Sequence, residues 1–161
     1  MAVRHRLIRK SPEDVWKILS DAEQYGDWVV GTSRAELDEG VWPEVGAALR
    51  YEIRIGPLTL HNQTVVRRSE PPAILELEAH SGPLGTARIA MELRPWGEQT
   101  LIILDEHPLR GAGGALHNPL LDAAQQVRSR AMLARLARLC ENDESTSRTT
   151  PERSRSRPRT A

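Results

Sequence analysis

The chain has 161 residues, a length that suits one domain with a substantial core. Its 22 basic and 22 acidic residues leave no formal net charge, so there is no whole-protein attraction to nucleic acid or acidic membranes. A lone cysteine, Cys140, excludes an intramolecular disulfide and any multi-cysteine metal site.

The opening "MAVRHRLIRKSPED" has no apolar stretch of the signal-peptide kind. No run approaches the roughly 18 apolar residues of a membrane helix. A cytoplasmic protein without membrane insertion is expected. The first strand is "VRHRLIR", residues 3–9. In "SPED", Ser11 suits a helix cap, Pro12 the first helical position, and Glu13 and Asp14 the positive helix end. Val15, Trp16, Ile18 and Leu19 supply the apolar side of that helix. "SDAEQYGDWV" restarts a short helix, capped by Ser20 or Asp21.

From about Ala35 to His107 the period becomes two. "ALRYEIRI" sets Leu49, Tyr51, Ile53 and Ile55 against Arg50, Glu52 and Arg54. "LTLHNQTVVRR" runs to a break at "SEPPA", and "ILELEAH", "TARIAMELR" and "TLIILDEH" follow, separated by Gly- and Pro-bearing turns. One apolar face and one charged face make an antiparallel meander covered on one side. The cover is a long helix over residues 118–140, and the remaining "ENDESTSRTTPERSRSRPRTA" is expected to be a disordered tail.

On that helix Leu121, Gln125, Arg128, Ser129, Met132, Leu136, Leu139 and Cys140 share a broad face. Its second half reads as core. Its first half carries polar groups where a packed sheet is expected, each costing about 1–3 kcal/mol if unpaired. The sheet shows the same anomaly. Asn62 and Thr64 stand in a row with Leu60 and Val66, and Glu106 aligns with Ile102 and Leu104. Either these groups pair within a solid core or at a wet rim, or a ligand space separates helix from sheet.

Several stretches resemble the START-like, or helix-grip, superfamily and its bacterial polyketide cyclase/dehydrase-like branch. They are "SPEDVWKILSDAEQYGDWVVG", "GPLTLHNQTVV" with "EPPAILEL", "GPLGTARIAMEL" and "HNPLLDAAQQVRSRAMLARLARL". The likeness spans residues 3–140. It implies an α+β fold: a curved antiparallel sheet, made of a short N-terminal strand plus a six-stranded meander, gripping the long C-terminal helix. Two short helices follow strand 1, and a cavity lies between sheet and helix. The expected helix-grip domain is residues 1–140, and the Arg/Ser/Pro-rich tail is residues 141–161.

The resemblance implies a small hydrophobic ligand, lipid-, aromatic- or polyketide-like. The candidate ligand residues are Trp28, Leu49, Tyr51, Leu60, Asn62, Thr64, Met91, Glu106, Leu121, Gln125 and Ser129. An alternative is a polyketide cyclase or dehydratase, with Tyr51, Glu106 and Arg128 as acid/base and oxyanion groups. A second alternative is an interaction module that uses the Arg-rich tail on nucleic acid or protein; beyond that tail no nucleic-acid partner is expected. No cofactor is expected. No metal is expected either, because the five histidines lack metal-ligand spacing: His61 and His80 fall on the charged face, and His107 and His117 flank the glycines of "GAGGALHN". That stretch has no Lys-Ser/Thr after its glycines and follows a meander, so it reads as an access loop and not a phosphate cradle.

Overall fold

The computed structural model of the chain describes residues 2–55, 57–110 and 119–147. The first strand, β1 (Ala2–Ile8), leads to α1 (Pro12–Leu19). Ser11 caps α1 as its chemistry demands: its hydroxyl accepts the Asp14 amide at 3.2 Å, and Pro12 occupies the first turn. Asp21, not Ser20, caps the following 3-10 turn, and α2 (Tyr25–Trp28) continues from it.

The meander comprises β2 (Glu36–Glu39), β3 (Ala48–Ile55), β4 (Leu58–Glu70), β5 (Ile74–His80), β6 (Thr86–Trp96) and β7 (Gln99–Arg110). All neighbours are antiparallel, in the order β1-β7-β6-β5-β4-β3-β2. Between β6 and β7 only Gly97 and Glu98 separate the paired Trp96 and Gln99. Gly97 has φ 63° and no non-glycine residue described has positive φ, which is the pattern of a type II′ hairpin. The sheet is open. One margin is β1, which runs beside the last helix; the other is β2, four exposed residues with a register shift between Leu37 and Glu39.

The long helix α3 (Pro119–Ser147) lies over the sheet. It continues seven residues past the expected end at Cys140, into the segment expected to be a disordered tail. The apolar signal stops at Cys140, but Glu, Asn, Asp and Ser are tolerated in a helix without burial. Glu141 also ties this turn to β1, accepting the Arg9 amide at 3.2 Å. The core lies between α3 and the sheet. Ile8, Leu75, Leu77, Met91, Ile102, Leu104, Met132 and Leu136 are all under 2% exposed, each contributing about 1.5–3 kcal/mol by burial. Leu133 and Ala137 are also buried there, which the apolar stripe drawn from sequence omitted.

Candidate functional site

Under the first described turns of α3 the packing opens into a cavity of about 510 Å³. Its apolar wall includes Val30, Ile53, Ala79, Ala87, Ile89 and Ala131. Register explains the hollow. Ala79 of β5 lies opposite Ala87 of β6, so two neighbouring inward positions carry only a methyl group. Four residues back along β5, Leu75 pairs with Met91 and the space is filled. The cavity reaches the surface beside Arg54 and Val127, the latter 66% exposed.

The polar lining falls into two clusters. At one wall are Tyr25, Tyr51 and Asn62. Thr64, fully buried, sits behind the two tyrosines: its Oγ1 lies 3.0 Å from the Tyr25 hydroxyl and 2.8 Å from the Tyr51 hydroxyl. Complete burial, reinforced by the neighbouring Tyr51, pushes the Tyr25 phenol well above its ordinary value, so it keeps its proton at neutral pH. Asn62 donates through Nδ2 to Ser81 Oγ at 2.9 Å, and its Oδ1 is buried without a partner.

At the other wall is Glu106, 2% exposed. Its Oε2 takes the Ser129 hydroxyl at 2.5 Å and the Gln125 amide at 3.4 Å, while Oε1 is buried without a partner. Ser129 also reaches the Gln125 carbonyl at 2.9 Å, one turn back along α3. Arg128 lines the cavity from α3 and makes no hydrogen bond or ion pair with the described residues.

Of the residues picked out from sequence, Tyr51, Asn62, Glu106, Gln125 and Arg128 meet on this cavity. Ser129 and Thr64 stand one layer behind, holding Glu106 and the tyrosines. Four others do not line it. Leu49 and Met91 are packed in the solid core. Leu60 is only half-buried and pairs with Ile53 across the sheet. Trp28 is buried edge-on against Tyr25, which stands at the cavity wall in its place. Alternation assigns a face to each of these side chains but not a position along it. The Leu121 side chain, the glycine loop at residues 111–118 with His117, and residues 148–161 lie outside what is described.

Tyr25, Ser81, Ala79 and Ala87 were not singled out from sequence. For the alanines a signal existed, two small residues at inward positions of adjacent strands, but it becomes visible only once register is known. His61 and His80 lie beside Glu52 and Glu78 on the charged face, and His107 beside Asp105 at 3.0 Å. Among the described residues no group of three or more His, Cys, Asp or Glu side chains is placed to hold a metal ion, and no helix is long and apolar enough to cross a membrane.

The family model described as "Polyketide cyclase / dehydrase and lipid transport" matches residues 2–141. The chain belongs to this family. The START-like fold expected from sequence is therefore the observed one, and with it comes a fold that binds hydrophobic ligands. Solved structures of the same fold include the Zhui aromatase/cyclase from Streptomyces sp. R1128, with a TM-score of 0.72 and 17% identity over 92% of this chain and 98% of that one. TTHA0849 from Thermus thermophilus gives 0.69 and 16% over 88% and 97%. Ara h 8.0201 gives 0.72 at only 9% identity, over 88% and 97%. At these identities the likeness is one of fold. No curated protein sequence matches the chain.

Proposed function

We propose that this family member binds a small, largely apolar ligand, aromatic, polyketide-like or lipid-like, between α3 and the sheet. The observation that carries this reading is the 510 Å³ hollow itself, with an apolar lining broken by a few placed polar groups. That is the usual make-up of a small-molecule site. Tyr51, Asn62, Glu106 and Gln125 orient the ligand's polar substituents, with Thr64 and Ser129 fixing them from behind. The test is titration with hydroxylated naphthalene and anthracene mimics, followed by tryptophan fluorescence, since Trp28 contacts the cavity-lining Tyr25. Saturable change in the intact protein, abolished by Ala87→Leu, supports the reading; no saturable change with any mimic removes it. Residues 148–161 are dispensable in this reading, and their removal leaves affinity unchanged.

A second reading, an enzyme that folds and dehydrates a poly-keto chain, is favoured by one observation. Tyr51, Glu106 and Arg128, chosen as acid/base and oxyanion groups, line the same cavity. Confinement supplies much of the rate in such a site, and the polar groups then move protons. Product formation lost in Glu106→Gln supports catalysis. Saturable binding without turnover leaves a carrier.

A further inference from the structure

We infer that the cavity selects a ligand with a hydroxyl group at each end of an apolar body, over one with ketones or ethers at those ends. This deepens the binding reading above and rests on it.

The argument is a count of donors and acceptors. Asn62 Oδ1 at one wall and Glu106 Oε1 at the other are buried acceptors without a partner. The two residues stand on β4 and β7, three strand spacings apart and, by the register, four residues out of line along the strands, or about 20 Å measured over the sheet surface. Between them the wall is Ala79, Ala87 and Ile89. Each unmet buried acceptor carries a desolvation penalty that a donor from the ligand relieves.

Polar hydrogens stand close to both acceptors. Tyr25, Thr64 and Tyr51 form one hydroxyl cluster at the Asn62 end, with Thr64 Oγ1 within hydrogen-bond reach of both phenols and the Tyr25 phenol also interacting with Tyr51. Tyr51 lies directly across the β3–β4 register from Asn62. Near Glu106, Gln125 has a second amide proton; the Arg128 guanidinium, also on the cavity, acts on the Tyr25 phenol. The Glu106 end therefore offers an acceptor together with a donor, and the Asn62 end an acceptor beside a hydroxyl cluster. A phenol or enol hydroxyl both donates and accepts, so it satisfies both. A ketone or ether oxygen only accepts, and leaves Oδ1 and Oε1 stripped of water and unpaired.

Isothermal titration calorimetry on the full chain tests this with four rigid probes: para,para′-biphenol, para-phenylphenol, para,para′-dimethoxybiphenyl and para,para′-diacetylbiphenyl. The expected order of affinity is biphenol, then phenylphenol, then the dimethoxy and diacetyl compounds. Biphenol binds at least about tenfold tighter than the last two, the scale of one buried hydrogen bond to a polar or charged group. Asn62→Leu and Glu106→Leu each bring biphenol down to the phenylphenol level while leaving the dimethoxy compound within about twofold. Glu106→Gln, which keeps a carbonyl acceptor, retains part of the preference. Equal affinity of biphenol and dimethoxybiphenyl for the unmodified protein overturns the hydroxyl rule while the cavity reading stands. So do variants that weaken both compounds alike. Failure of all four probes to bind overturns both. The probe series on the unmodified protein decides the matter even if a variant does not fold.

Discussion

One helix covers one sheet here, yet its two ends meet that sheet in opposite ways. Toward its C-terminal half, Met132, Leu133, Leu136, Ala137 and Cys140 are buried with Ile8, Leu75, Met91, Leu93, Ile102 and Leu104 in one continuous core. Toward its N-terminal half, Gln125, Arg128 and Ala131 stand over Ala79, Ala87 and Ile89 around open space. What separates the two regions is the side-chain volume on β5 and β6. Leu75 against Met91 closes the gap, and Ala79 against Ala87 leaves it. The packed end provides the stability that lets the other end remain hollow.

The comparison is broken most directly by emptying the packed end. Leu136→Ala or Leu75→Ala should cost about 2–5 kcal/mol, because neither site can collapse around the lost atoms; urea denaturation measures it. Filling the hollow end should have a far smaller effect. Ala87→Leu is expected to change stability by less than about 1.5 kcal/mol, since its new methyl groups enter vacant volume without strain. It should also abolish the fluorescence response to ligand. An equally large loss of stability from Ala87→Leu would mean that the two ends are packed alike.

Thr64→Val sharpens the picture at the cavity's polar wall. Its shape is kept, but two buried phenols lose their shared partner, so about 1–3 kcal/mol should be lost, again by urea denaturation. Ser11→Ala, away from the cavity, should cost about 1 kcal/mol through the lost cap on α1.

The smallest effect lies on the charged face. The Arg88 guanidinium beside Glu76 holds that carboxyl below the ordinary carboxylate range. The unfolded chain therefore binds the proton more readily than the folded one. Glu76 contributes stability that is full above its unfolded value and is lost as pH falls through its folded value. With both side chains partly exposed, the pair should contribute under about 1 kcal/mol. Glu76→Gln should correspondingly flatten the acid limb of the stability–pH curve.

Much of this architecture is legible in the sequence because alternation and caps are local signals. The period-two run places Leu49, Tyr51, Asn62, Thr64 and Glu106 on the inward face, and all five are buried. What alternation cannot convey is position along that face. Leu49 and Met91 share the inward face with Ala79 and Ala87, yet only the alanines border the cavity, a distinction that depends on which residue lies opposite which. Tyr25 is hidden in the sequence for a related reason. Its place at the wall depends on how α2 docks against β3 and β4, a contact between residues 39 apart in the case of Thr64. The C-terminal limit of α3 is hidden because the hydrophobic pattern stops at Cys140 while the helix runs on to Ser147.

The sheet's second margin has a consequence of its own. An open edge invites a neighbouring molecule to add its strand, and the usual result is aggregation. β2 offers such a newcomer four residues, three of them acidic, with the ladder broken by a bulge after Leu37. Carboxylates and broken register together make that border a poor template. A protein with no net charge to keep its copies apart gains from this defence, because its colloidal behaviour then rests on how its borders are finished.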